Sequence, residues 1–181
     1  ARIFLFGARD TWFVVALPVF LYGNGWSFWE VGGFLALWTM LYGFVQGMAP
    51  AIMRITTTTP VSWTSRVGWA VALALALIGI LICMIVKMDV PFLITGLFVF
   101  GVFFAVNSSL HSFLIVAYAG SKKAAEDIGF YYAANAAGRL AGTFLSGFLY
   151  YQGGLLACLA GSALFLIITA LMVARLPQVQ A

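Results

Sequence analysis

The sequence predicts an all-α membrane protein of six transmembrane helices, and three observations carry that prediction. Of its 181 residues, 64% are apolar and only 8% are charged, whereas a water-soluble domain carries about 25% charge. The apolar residues gather into six stretches of about 20 residues, the length at which a helix crosses a hydrocarbon core about 30 Å thick. Runs such as VGWAVALALALIGILICMIV are apolar on every face, while a transmembrane β-strand would alternate apolar and polar residues.

The spans, in order, are residues 3–23, 29–50, 67–87, 92–118, 128–151 and 154–175, each bounded by a charge, a proline or a glycine pair. The first holds Arg9-Asp10 about two turns in and then Pro18, whose missing N–H and bulky ring predict a kink. The second opens on Glu30, which suits the positive end of the helix dipole, and carries Trp38, Tyr42 and Gln46 at four-residue spacing, a stripe that reads as packed aromatics before a binding wall. The third is uniformly apolar. The fourth carries the polar run NSSLHS, with Asn107 and His111 one turn apart on one face and Ser108 and Ser112 on the adjoining one. The fifth and sixth are parted by Gly153-Gly154. Cys83 and Cys158 lie inside apolar runs, where a thiol behaves as a small hydrophobe, so neither a disulfide framework nor a metal motif is expected. Trp26, Trp29, Trp63 and Trp69 fall near span ends and read as interfacial anchors. Thr56 to Thr59 with Pro60 read as a plain polar loop.

Charge sets the orientation. Arg2, Arg9, Arg54, Arg66, Lys122, Lys123 and Arg175 fall on one side when the connections are counted, against Lys87 alone on the other. The positive-inside rule then places both termini in the cytoplasm. The excess is modest, +4 overall and without a basic run, so the inner membrane face explains it and a nucleic-acid partner is not expected. The first residues lack the basic head, apolar stretch and small-residue cleavage site of a secretory signal, and the chain starts abruptly, as a fragment would. Glu30-Val31-Gly32 at the head of the second span and Asp127-Ile128-Gly129 at the head of the fifth fit two inverted three-helix repeats.

Polar groups deep in the spans point to function, because a charge near the bilayer centre costs at least about 2.5–3.5 kcal/mol without a cavity or partner. Arg139 lies about 16 Å along the helix from Ile128, close to the midplane. Tyr131, Asn135, Arg139 and Thr143 recur every four residues as one polar stripe. One position back, Ala134, Gly138, Gly142 and Ser146 form a small-residue stripe that admits another helix closely. Arg139 must meet a carboxylate from another chain, Asp10 in tertiary contact, or an anionic substrate. Its guanidinium fork matches carboxylate, phosphate or arsenate oxygens. His111, the only histidine, either hydrogen-bonds a neighbouring helix or binds substrate and changes protonation. It has no metal-ligand company, so no metal or cofactor is expected. Arg9 and Asp10 read either as a cytoplasmic-end cap or as a gate, with Asp10 the best acid for proton linkage. Adjacent residues project about 100° apart on a helix, so the two need not pair.

These residues support a secondary transporter whose first, fourth and fifth spans line a cavity, with Arg139 binding an anion and Asn107, His111, Tyr131 and Asn135 orienting it. Catalysis is not expected, since the serines of NSSLHS share one helix with His111 and no nucleophile turn is present. A structural or receptor-like six-helix subunit without transport remains the alternative, because polar helix faces also join subunits.

Across essentially the whole chain the pattern resembles the C-terminal six-helix half of a major facilitator superfamily transporter. That resemblance implies a twelve-helix fold, an N-terminal six-helix half as partner, and transport by alternating access. FLFGARDTWFVVALPVFLY, GWSFWEVGGFLALWTMLYGFVQGMAP, NSSLHSFLIVAY and GFYYAANAAGRLAGTFLSGFLY resemble the organoarsenical efflux permeases (ArsJ-type) of arsenic-resistance operons. That narrower resemblance implies a bacterial inner-membrane exporter of 1-arseno-3-phosphoglycerate, functionally linked to a glyceraldehyde-3-phosphate dehydrogenase that makes it. A major facilitator transporter of a different small solute is the nearer alternative.

Overall fold

The computed structural model describes residues 1–56, 62–118 and 124–177, and every element in them is helical. The helices are α1 (Arg2–Phe13), α2 (Ala16–Gly23), α3 (Phe28–Thr56), α4 (Trp63–Ile85), α5 (Val90–Tyr118) and α6 (Ala124–Ala174). Five helical stretches are long and apolar enough to cross a membrane, α1 and α2 together making the first. Lys122, Lys123, Thr57 to Thr59 and Pro60 lie outside the described residues, as does the side chain of Arg54.

The helix starts follow from local chemistry. At the head of α3 the Ser27 hydroxyl accepts from the Glu30 N–H (3.3 Å) while the Glu30 carboxylate accepts from the Ser27 N–H (2.7 Å), a reciprocal capping box. Ser62 caps α4 by accepting from the Ser65 N–H, which starts that helix four residues before the expected 67. Pro50 does not end α3, which runs on to Thr56. The first span breaks between Phe13 and Ala16, one turn before Pro18, where the proline ring opposes the carbonyl four residues back. Ser146 of α6 takes the hydrogen bond of the Ala16 N–H (3.1 Å), so the break leaves that donor satisfied.

The largest departure from the expected elements is α6. As one straight rod of 51 residues it would be about 75 Å long. It does not run straight, because Gly153 and Gly154 leave helical geometry. Beyond them the chain doubles back: the Cys158 thiol lies 3.4 Å from the Ser146 carbonyl oxygen, a pair that a continuous helix would hold about 18 Å apart. Gly154 has φ +63° and ψ −158°, a region open essentially to glycine alone. A Cβ there would touch nothing within 4 Å, so the cost of Gly154→Ala is conformational, about 1–3 kcal/mol. Lys87, at the end of α4, also has positive φ (+55°), held by the Met88 N–H to the Cys83 carbonyl. Lys87→Gly relieves that strain and is expected to stabilise by about 1 kcal/mol. Thermal unfolding of the two variants in detergent should therefore shift in opposite directions.

The first span is the most buried of the membrane-length helices, and α6 contacts the most neighbours. α1 packs chiefly against α6, α4 packs against α5 and α6, and α3 packs against α5. Half of the first span is buried, against 17% of α3. Trp12 is fully buried and meets Trp38 and Phe100 edge-on. Trp38 stacks on Tyr42 at 5.7 Å and donates from Nε1 to the Leu97 carbonyl. The Trp38 and Tyr42 stripe is thus core packing. Trp29 is 82% exposed, whereas Trp69 is half-buried and offers its carbonyl to Asn107.

Candidate functional site

The site is built on the contact between α1 and the first arm of α6. A Cβ on Gly142 would lie 2.6 Å from the Gly7 carbonyl oxygen and 3.0 Å from the Asp10 Cβ, and one on Gly138 would overlap the Ile3 backbone. The two backbones therefore touch, as the small-residue stripe allows. The second arm packs on the adjoining face of α1, with the Ser162 hydroxyl donating to the Ala8 carbonyl (2.7 Å) and Phe165 beside Gly7.

This approach brings Arg139 to Asp10. The Arg139 Nε donates to one Asp10 carboxylate oxygen (3.1 Å), while the Arg9 Nε donates to the other (2.6 Å) and its Nη2 makes an ion pair with the same oxygen at 2.6 Å. Arg139 thus has a partner within the chain, the second of the three expected from its sequence position. Arg9 and Asp10 do pair despite being adjacent, because the long arginine side chain curls back across the 100° between them. Asp10 is 1% exposed and the Arg9 side chain 11%, but the Arg139 side chain is 56% exposed. Arg139 stands midway between the start of α6 and its break.

A second cluster joins this one through Phe6. The Phe6 ring lies 4.0 Å from the Arg2 guanidinium carbon and 5.4 Å from that of Arg9, within cation–π range of both. Arg2 also lies 4.2 Å over the Tyr131 ring and donates to the Ser108 carbonyl (3.1 Å). Tyr131 hydrogen-bonds the Ser112 hydroxyl at 2.6 Å, so α1, α5 and α6 meet here. His111 is buried with Nε2 unpartnered among the described residues, and so are the Ser108 hydroxyl and the Asn135 amide oxygen. Asn107 spends its amide nitrogen on the Trp69 and Phe103 carbonyls, which ties α5 to α4, and its amide oxygen is unpartnered.

The structure thus joins Arg9, Asp10 and Arg139 directly and places Tyr131 with Arg2. Asn107 is turned toward α4, and neither it nor His111 hydrogen-bonds Arg139. Two further arginines gain roles that the sequence does not announce. Arg2 enters the sequence argument only through orientation, although Arg2, Phe6 and Arg9 sit at helical spacing on one face. Arg66 reads from sequence as a loop residue, yet it lies in the first turn of α4, fully buried, donating to the Tyr118 hydroxyl (2.8 Å) and the Pro177 carbonyl (3.0 Å). Only the early start of α4, signalled by Ser62, points to that placement.

The geometry suits recognition of an anion more than bond chemistry. Arg9 and Arg139 share the one carboxylate of Asp10, and Arg2 stands nearby over the Phe6 and Tyr131 rings, so the described cluster carries more positive than negative charge. That excess sits on helices apolar enough to lie in a membrane, where uncompensated charge is costly. No family model, no curated protein and no solved structure matches this chain.

Proposed function

We propose that this chain is the C-terminal six-helix half of a secondary transporter that exports a small organic anion by alternating access. The doubling back of α6 at Gly154 supports counting its two arms as separate crossings, six in all, with both termini cytoplasmic in a bacterial inner membrane. The observation that carries the reading is Arg139. It is held by its Nε, more than half exposed, and makes no other hydrogen bond or ion pair among the described residues. Tyr131, Asn135 and His111 supply polar groups on the α5 and α6 side, Asn107 is spent on α4, and Asp10 with Arg9 forms the charged gate. The resemblance noted above makes 1-arseno-3-phosphoglycerate the proposed cargo, with a companion glyceraldehyde-3-phosphate dehydrogenase as its source and an N-terminal half as the other cavity wall.

The Arg139–Asp10 pair also favours a second reading, in which it serves only to lock α1 to α6 in a structural subunit. Arg139→Lys in the full-length protein separates the two. Lysine keeps the charge and the lock but loses the bidentate fork, so a transporter should lose about 10- to 100-fold in anion affinity, the worth of one charged hydrogen bond. Arsenic efflux from cells that co-express the dehydrogenase reads this out. Unchanged efflux and affinity would sink the assigned role.

A further inference from the structure

We propose that Asp10 is a positioning residue, which holds Arg139 by its Nε side so that the terminal edge of the guanidinium faces the anion. The inference rests on the transport reading and adds a division of labour within the cluster. A guanidinium has five N–H donors, one on Nε and two on each terminal nitrogen. Asp10 engages only the Nε of Arg139, through one carboxylate oxygen at 3.1 Å. Its other oxygen is occupied by Nε and Nη2 of Arg9.

The two arginines are therefore not equivalent. Arg9 is 11% exposed in its side chain, packed near the Phe6 and Phe104 rings, and committed to Asp10 through both groups. Arg139 is 56% exposed and keeps Nη1 and Nη2 free of any partner among the described residues. Those two nitrogens form the edge that binds carboxylate, phosphate or arsenate through two parallel hydrogen bonds. A long side chain ordinarily loses rotamer freedom when it takes up a ligand. Here Asp10 has already restricted it, so the ligand meets a fork whose direction is set. The close approach at Gly142, where an added Cβ would lie 3.0 Å from the Asp10 Cβ, sets Asp10 directly against the helix that carries Arg139.

The test uses the full-length protein in liposomes with 3-phosphoglycerate as the probe anion. Asp10→Asn alone strands Arg9 as a buried cation and risks misfolding, so the informative variant is Arg9→Gln with Asp10→Asn, which removes one positive and one negative charge together. We expect it to bind 3-phosphoglycerate about ten-fold more weakly despite its unchanged net charge. Adding Arg139→Lys to it should leave affinity no lower than Arg139→Lys alone, because Asp10 acts through Arg139. In parallel, phenylglyoxal labelling read by mass spectrometry should modify Arg139 and spare Arg9 in the unaltered protein, and 3-phosphoglycerate should protect Arg139. Wild-type affinity in the Arg9→Gln/Asp10→Asn protein overturns the positioning role, as do effects that multiply in the triple variant. Preserved affinity with loss of transport driven by a pH gradient would make Asp10 a proton carrier instead, also overturning it. Absence of anion binding in every protein, with the labelling pattern intact, removes the transport reading and this role with it.

Discussion

Gly142→Val should unfold the contact between α1 and α6 and abolish function. The added Cβ falls 2.6 Å from the Gly7 carbonyl oxygen and 3.0 Å from the Gly7 Cα, so the atoms that must yield are backbone and cannot rotate away. α1 is also held by the second arm of α6, through Ser162 to the Ala8 carbonyl, so moving away from the first arm would strain that contact too. We expect a loss of about 3 kcal/mol or more, at the upper end of overpacking effects. The same separation would part Arg139 from Asp10, so surviving protein should be inactive. Thermal unfolding of the detergent-solubilised protein measures the first effect, and the arsenic efflux expected on the proposed transport reading measures the second. Gly79→Ala is the matched control: that glycine is exposed on α4, an added methyl would meet nothing within 4 Å, and stability should be unchanged or raised. A Gly142→Val protein as stable as the control would show that the two helices do not touch there.

Removing the carboxylate of Asp10 should be comparably severe, for an electrostatic reason. In Asp10→Ala, Arg9 keeps its buried position with no counter-charge, and breaking a buried pair from one side costs about 3–5 kcal/mol. Removing both members should be far milder, because Arg9→Met with Asp10→Ala leaves, of the three paired groups, only the exposed Arg139 charged. We expect the double variant to recover most of the lost unfolding temperature, while, on the proposed positioning role of Asp10, anion binding stays impaired. Additive destabilisation in the double variant would mean that Arg9 and Asp10 stabilise the protein separately and that their 2.6 Å contact carries little.

Much of the architecture is legible in the sequence because it follows from local properties of the chain. Pro18 and the Gly153-Gly154 pair mark two backbone breaks, the first one turn before the proline, between Phe13 and Ala16, and the second at the glycines themselves. The small stripe of Gly138, Gly142 and Ser146 is the face on which α1 packs. The charged cluster is only half legible. Arg139 announces itself by depth, but adjacency leaves open whether Arg9 pairs with Asp10, and nothing in one dimension can rank Asp10 against a partner from elsewhere. Arg66 is hidden for a related reason: a charge beside a loop looks solvated until the acceptors that bury it, Tyr118 and Pro177, arrive from distant parts of the chain.

Composition and the spacing of apolar residues by themselves determined that this protein is helical, that its helices are long and apolar enough for a bilayer, and which positions within them are polar. Those properties belong to each segment alone, since length, hydropathy and backbone freedom need no neighbour. Only the tertiary structure decided that Asp10 takes one arginine on each oxygen, that Phe6 joins Arg2 to Arg9, and that Arg139 keeps its terminal edge free. Each of these depends on how far one helix is rotated and how closely it approaches the next. At this site that distance is set by two glycines whose missing side chains let the backbones meet.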